Sequence, residues 1–310
     1  MAQTTAAVRA EKPKRQKPPK YSGMSRALVR RETMWAYLFL LPSLIFFVAF
    51  VVLPMFICVF YSFCEYGLGG IKGFAGFDNY IKLFKDPTFH KGFLNTLLIV
   101  VVAVPSVTAF SLWVSSAIYK MHAVPRSFFR CVFYLPVVSG SVAITVVWKW
   151  ILNPYYGILN QVTGNVGFDW LGNSKTAIWF IILILFTTSI GQPIVLYVAA
   201  LGNVDQSLVE AAQVDGATKL QVFWKIKWPQ IMSTTLYILV ITTINSFQCF
   251  ALSQLLTRGG PNNATMTIMY QVYDTAYRLN DLGYANAIGV VLAIIIAIFS
   301  ALQFKLAKTD

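Results

Sequence analysis

Charge is scarce in this 310-residue sequence, where Asp, Glu, Lys and Arg make up 12% against 57% hydrophobic residues, and the mean hydropathy is +0.62. That balance excludes an ordinary soluble domain. Histidine is scarcer still. His90 and His122 are the only two, they fall in separate loops, and no acidic cluster accompanies them, so the nucleophile-and-base pairs or metal clusters of a membrane enzyme are missing. The four cysteines, Cys58, Cys64, Cys131 and Cys249, lack the short paired spacing of a metal site and read as small apolar fillers. A Gly-x-x-x-x-Gly-Lys-[Ser/Thr] phosphate cradle is also lacking: LGNSKT, around Lys175, does not have its spacing. The chain is therefore expected to bind no ATP by the usual means, and any ATP-derived energy must reach it from a partner. The apolar runs lack internal carboxylates, which argues against a secondary transporter coupled to protons or sodium.

What the sequence has is long apolar runs. About 20 residues are needed to cross roughly 30 Å of hydrocarbon. Six stretches qualify: Trp35 to Phe60, Leu94 to Tyr119, Cys131 to Leu152, Thr176 to Leu201, Ile231 to Thr257 and Leu282 to Phe304. Each is expected to be a helix, because unpaired backbone groups are costly in lipid. The fold class is thus an all-α integral membrane protein with six transmembrane helices. Pro105 and Pro136 inside such runs predict kinks.

Lys and Arg collect on the cytoplasmic side of membrane proteins. With the N-terminus inside, nine precede the first span, three lie in Lys120 to Arg130, three in Asp205 to Pro229 and two at the C-terminus, against eight on the other face. Both termini are then cytoplasmic. Residues 1–34 read as a basic, disordered cytoplasmic tail whose Arg and Lys, interleaved with Pro13, Pro18 and Pro19, serve topology and contact with anionic lipid rather than nucleic acid. The first apolar run is too long and starts too late for a cleaved signal peptide. Residues 61–93 form an external segment, 94–304 the core, and 305–310 a short cytoplasmic tail with no room for another domain.

One polar interruption stands out, Asp205 to Pro229, reading DQSLVEAAQVDGATKLQVFWKIKWP. Ser207 with Glu210 three residues on predicts a capping box and a short helix. Asp215-Gly216 then supplies the αL-tolerant stop. A second helix restarts at Thr218, with Leu220, Phe223 and Trp224 at helical spacing and Lys227 at the membrane edge, and Pro229 opens the next span.

These residues carry a family resemblance. Glu210-Ala211-Ala212, Asp215-Gly216, Ile226 and Pro229 resemble the EAA loop, here 203–229, of permease subunits of binding-protein-dependent ABC importers, with Trp228 where that pattern usually has Leu. The stretches GFDNYIKLFKDPTFHKGFLNTL, RCVFYLPVVSGSVAITVVWKWILNPYYGILN and the Thr-x-Gly-Gly-Pro of LLTRGGPNN are similar to sugar-type members. The resemblance implies the type I ABC importer permease fold. It also implies a second homologous permease, two ATPase subunits that bind ATP and Mg, and an extracytoplasmic sugar-binding protein, with no cofactor in this chain, in the cytoplasmic membrane of a prokaryote.

Two polar belts interrupt the spans. TTSIGQP, Thr187 to Pro193, sits in the fourth, and TTINSFQCF, Thr242 to Phe250, in the fifth. Glycine and proline two residues apart mark a bend or a close backbone approach. Uncharged amides beside aromatic faces suit a polyhydroxylated ring. Ordinary interhelical hydrogen bonding is the competing explanation. By resemblance to maltose-transporting members, a substrate pathway is expected at Thr187, Ile190, Gly191 and Gln192, and at Asn245, Ser246, Phe247 and Gln248. Another polar solute, such as glycerol phosphate, remains an alternative substrate. Gly283, Ala285, Ala287 and Gly289 offer small-residue packing for a second subunit.

Overall fold

A computed structural model describes the backbone of residues 26–307 and the side chains of 30–306; the rest of the expected N-terminal tail and the last three residues lie outside the described residues. Contacts divide the chain at Phe56. The first unit holds α1 (Arg26–Phe47), a π turn (Val48–Val52) and the start of α2 (Leu53–Ser62). Helix thus begins at Arg26, so the expected disorder of the tail does not hold for 26–34; ALVRR has good helix formers and no proline.

The second unit contains everything from Ile57 onward. A hairpin comes first, β1 (Cys64–Gly67) and β2 (Gly70–Phe74), antiparallel, with Cys64 opposite Phe74 and a bulge at Glu65/Tyr66. This corrects the all-α expectation: Gly69-Gly70, with Gly70 at φ +87°, makes a tight reversal that the aromatic and β-branched neighbours extend into strands. Then follow α3 (Asp78–Lys85), α4 (Pro87–Ile118), α5 (Ala123–Val138), α6 (Ser141–Ile151), α7 (Ile158–Thr163), α8 (Ala177–Ser189) and α9 (Gly191–Gly202). The chain continues through α10 (Gln206–Val214), α11 (Lys219–Val222), a π turn (Phe223–Lys227), α12 (Trp228–Phe247), α13 (Ile268–Tyr273) and α14 (Leu282–Ala307).

Among the described residues, four helical stretches are long and apolar enough to cross a membrane, or up to six if each of two bent pairs counts as one span. The bent pairs are α5 with α6, at 97°, and α8 with α9, at 42°. The expected third span is therefore not one straight helix. Its break falls at Gly140, at φ +71°, and not at Pro136, which stays inside α5. Pro105 likewise stays inside an unbroken α4. The expected fifth span also shifts. Helix begins earlier, at Lys219, and α12 stops at Phe247, with Ser253–Thr257 a separate π turn.

Two π turns share a local cause. The residue that closes each of them immediately precedes a proline: Leu53 donates to the Val48 carbonyl ahead of Pro54, and Trp228 to the Phe223 carbonyl ahead of Pro229. Proline has no N–H and its ring crowds the carbonyl four residues back, so the ladder widens by one residue.

Helix α4 is the post of the second unit. It supplies buried side chains to three hydrophobic clusters: Val107, Val114 and Ile118 with α9; Phe89, Val100 and Val104 with α12, α13 and α14; and Ile99 with α8. Asp86 caps it, accepting from the Thr88 N–H at 2.8 Å, with Pro87 at the first helical position, where its missing N–H costs nothing. Its small polar residues hold irregular backbone. Thr96 Oγ1 accepts from Ile268 N–H at 3.0 Å, and Asn95 Nδ2 donates to the Asn263 and Met266 carbonyls. On α14, Gly283 abuts the Cys64 carbonyl of the hairpin, and Ala285 and Ala287 are buried. Those three small residues serve packing within this chain; Gly289 alone faces open space.

Candidate functional site

The polar interruption folds as two short helices set across each other, but the first one is capped differently from the expectation. Asp205, not Ser207, is the N-cap: its carboxylate accepts from Ser207 N–H at 2.9 Å and from Ser207 Oγ at 2.7 Å. A carboxylate two residues upstream is the stronger acceptor, so the serine becomes a donor and Glu210 moves into the helix interior. Those bonds hold the Asp205 carboxyl below the usual carboxylate range. The capping box exists one helix later, where Thr218 Oγ1 accepts from Gln221 N–H and Gln221 Oε1 from Thr218 N–H. Its Thr-x-x-Gln signature was present in the sequence.

The stop at Gly216 is a complete Schellman motif. Ala217 N–H donates to the Ala212 carbonyl at 2.9 Å and Gly216 N–H to the Gln213 carbonyl at 3.1 Å, with Gly216 at φ +81°. This reversal folds α11 back beside α10. The inner faces of both helices, with Val209, Ala212, Ala217, Val222 and Ile226, rest on the cluster formed by α4 and α9. The outer face is different. Leu208 and Val214 are 51% and 87% exposed, Glu210, Ala211, Asp215, Gly216 and Pro229 are also exposed, and the Glu210 carboxylate has no hydrogen-bond partner among the described residues.

The two helices flanking this connection lead to a second feature. Helix α9 runs from Gly191 to Gly202 just before α10, and the helix beginning at Lys219 continues through α12 to Phe247. Between them lies a cavity of ≈120 Å³ whose polar lining includes Thr188, Ser189, Gln192, Thr242 and Asn245, with Tyr237 beside them. The amides of Gln192 and Asn245 have no hydrogen-bond partner among the described residues, and no lining residue is charged. The two belts therefore meet. An uncharged, donor-and-acceptor-rich wall with an aromatic edge can hold hydroxyl groups but cannot neutralise an ion.

The expected pathway residues divide. Gln192 and Asn245 open onto the cavity. Thr187 donates to the Ile184 carbonyl within α8, and Ile190 and Gly191 are packed where α9 leans on α5. Ser246 is buried, and Phe247, fully buried, meets Phe299 edge-on at 5.2 Å. Gln248 is exposed beyond the helix end. The aromatic neighbour of the cavity is thus Tyr237, which a helical-wheel projection of α12 places two turns from Asn245 and which sequence reading passed over.

The bend that shapes the cavity is bound to α4. Pro193 cannot donate to the Ser189 carbonyl, which breaks the helix at Ile190. Ser111 Oγ then donates to the Ile190 carbonyl at 3.3 Å and Ser115 Oγ to the Ile194 carbonyl at 3.1 Å.

Residues 34–309 match the family described as binding-protein-dependent transport system inner membrane component. The chain is 34% identical, over 91% of its length and 99% of the relative's, to the "Probable ABC transporter permease protein YurN" of Bacillus subtilis. It is 32% identical to the multiple sugar-binding transport system permease protein MsmF of Streptococcus mutans, over 88% and 95%. Among solved structures it resembles a chain of a bacterial alginate ABC transporter, in complex with an alginate pentasaccharide-bound periplasmic protein, with TM-score 0.76 at 23% identity, covering 90% of this chain and 96% of that one.

Proposed function

The chain belongs to the binding-protein-dependent transport system inner membrane components, and from that premise we propose that it is the permease half-channel for a carbohydrate, driven by ATP that separate subunits hydrolyse. The observation that carries this reading is the exposed face of α10, where Val214 lies one turn from Glu210 and Ala211 one turn from Val214, with Glu210 free of hydrogen-bond partners among the described residues, on a helix whose other side is locked to the core. Apolar area set around one polar anchor is the composition of a docking surface. Two ATPase subunits holding ATP and Mg grip this loop and its counterpart on a second homologous permease, on the cytoplasmic side.

Coupling follows from the connectivity. Helix α9 enters α10 through only Asn203 to Asp205, and the Schellman turn ties α10 to the helix that ends beside Asn245. A displacement imposed on α10 is therefore carried by two rigid helices to both walls of the cavity, at Gln192 and Asn245. Closure of the ATPases turns the cavity outward, towards an external sugar-binding protein, and their opening turns it inward. The shift can be no larger than the difference in docking free energy between the two states. Within the cavity the free amides exchange hydrogen bonds with sugar hydroxyls while Tyr237 packs against the ring's C–H face.

The test is uptake of radiolabelled sugars into proteoliposomes holding the assembled complex, with a Val214→Cys variant on a cysteine-free background. Crosslinking of Val214→Cys to an ATPase subunit that changes on ATP addition, together with ATP-dependent sugar uptake, is the expected result. Crosslinking only to lipid, or uptake driven by an ion gradient without ATP, overturns the reading.

A further inference from the structure

A second cavity, of ≈350 Å³, lies where α4 ends against α11 and the following π turn, and three of its lining residues are Lys120, Lys219 and Lys227, with no carboxylate among the others. Its centre is Tyr119. The Lys227 ammonium donates to the Tyr119 hydroxyl at 2.5 Å and stands 5.0 Å from the ring centroid, Lys120 stands 5.8 Å from the same centroid, and Arg126 donates to the Tyr119 carbonyl at 3.3 Å. Four cations thus converge on one buried tyrosine or its immediate rim. The acids of the neighbouring connection, Asp205, Glu210 and Asp215, do not line the cavity. Salt bridges to these lysines are absent among the described residues, where the two ion pairs are Lys82 with Asp281 and Arg278 with Asp274.

Like charges brought together without a carboxylate repel, and with Lys120 and Lys219 open to water and Lys227 held by Tyr119, an anion that enters would relieve that repulsion. Gln213 and Ser116 add uncharged donors to the same wall. Beside it, Phe223, Trp224 and Trp228 form an aromatic trio with centroids 5.4 to 6.4 Å apart, and Leu220 and Trp224 are exposed. Trp and exposed apolar side chains next to lysines mark the headgroup level of a bilayer, and basic pockets between spans on the cytoplasmic side take acidic headgroups.

We propose that this cavity binds the phosphate of an anionic glycerophospholipid, its acyl chains lying along Leu220 and Trp224, and that the lipid fixes the root of the α10–α11 connection. The proposal rests on the reading that this connection faces the cytoplasm. One wall is the end of α4 with Leu201, and the other, Lys219 to Lys227, is continuous with the span that ends at Phe247, which favours lipid over an acidic surface of the ATPase.

The experiment is native mass spectrometry of the full transporter complex, released from nanodiscs of phosphatidylcholine with or without phosphatidylglycerol. Turnover is not involved, so a failure to transport sugar leaves this readout intact. Retention of phosphatidylglycerol by the wild type, about a hundredfold weaker retention in a Lys120→Gln, Lys219→Gln, Lys227→Gln variant, and recovery in the corresponding triple Arg variant are expected. Equal retention by the Gln variant overturns the proposal, as does displacement of the lipid by millimolar inorganic phosphate, which would make free phosphate the ligand. Retention that appears only after the ATPase subunits are removed would assign the cavity to the ATPase and overturn it as well.

Discussion

Gly191 lies so close to Phe133 that a Cβ on it would come 2.5 Å from the Phe133 carbonyl and 3.0 Å from the Tyr134 Cα. Both neighbours are backbone of α5, which cannot rotate away as a side chain could. Gly191→Ala is therefore expected to separate α5 from α9 and cost about 1–3 kcal/mol as overpacking. A lowered melting temperature of the purified complex, with loss of uptake, checks it; an unchanged melting temperature would refute the close contact.

Gly216 poses the opposite case, since nothing lies within 4 Å of its missing Cβ. The cost of a side chain there is the backbone alone, about 1–2 kcal/mol for an ordinary L residue at positive φ and less for Asn. Gly216→Asn should keep ATP-driven uptake near the wild-type rate, Gly216→Ala should reduce it, and both should leave folding intact. Uptake equal in the two variants would show that the reversal does not set the position of α10.

The amides of Gln192 and Asn245 are predicted to recognise hydroxyls. Replacing either by Leu removes a neutral hydrogen bond of about 0.5–1.5 kcal/mol, which corresponds to a two- to tenfold rise in the sugar concentration needed for half-maximal uptake. Phe247→Leu, which touches only Phe299 and its cluster, should instead lower stability. The reverse pattern would place the substrate elsewhere.

Acid should loosen α10 before it loosens the core. Because Ser207 holds the Asp205 carboxyl below its ordinary range, the cap contributes fully above the ordinary carboxylate range, and its contribution is lost as pH falls through the folded-state value. Hydrogen-exchange protection of the first turn of α10, taken relative to the intrinsic rate at each pH, should fall on acidification in the wild type and be already low, and less dependent on pH, in Asp205→Ala. Identical profiles would exclude the cap.

At the N-terminus of α4, Asp86 Oδ2 accepts from Tyr284 OH at 2.8 Å and from Gln271 Nε2 at 2.9 Å, joining α4, α13 and α14. Tyr284→Phe should cost about 1.5–3 kcal/mol, the worth of a hydrogen bond to a carboxylate, read as a fall in melting temperature.

Where the sequence could be read, it was read through local chemistry. The long apolar runs located the helices, and Asp215-Gly216 the stop of α10. What escaped was decided by competition or by distance in the chain. Asp205 outbid Ser207 for the cap, a contest that depends on geometry two residues apart. Gly140 rather than Pro136 broke the third run, because a proline whose freed carbonyl can be tolerated costs less than a residue committed to positive φ. Phe247 looked like a sugar platform until Phe299, fifty-two positions away, was seen to occupy its face. The hairpin lies in the external segment, where Gly69-Gly70 separates strands of only four and five residues, too short to show an alternating pattern.

Ser111 and Ser115 grip the carbonyls of Ile190 and Ile194, one turn apart on each helix and with the same offset. Helices α4 and α9 consequently present matching teeth at a spacing of about 6 Å along their axes. A slide of one tooth would hand Ser111 from Ile190 to Ile194 and restore an equivalent contact, whereas an intermediate position gives up both interhelical bonds and leaves each hydroxyl only a carbonyl of its own helix. Sliding along that seam is thus favoured in whole steps, like a latch with fixed notches.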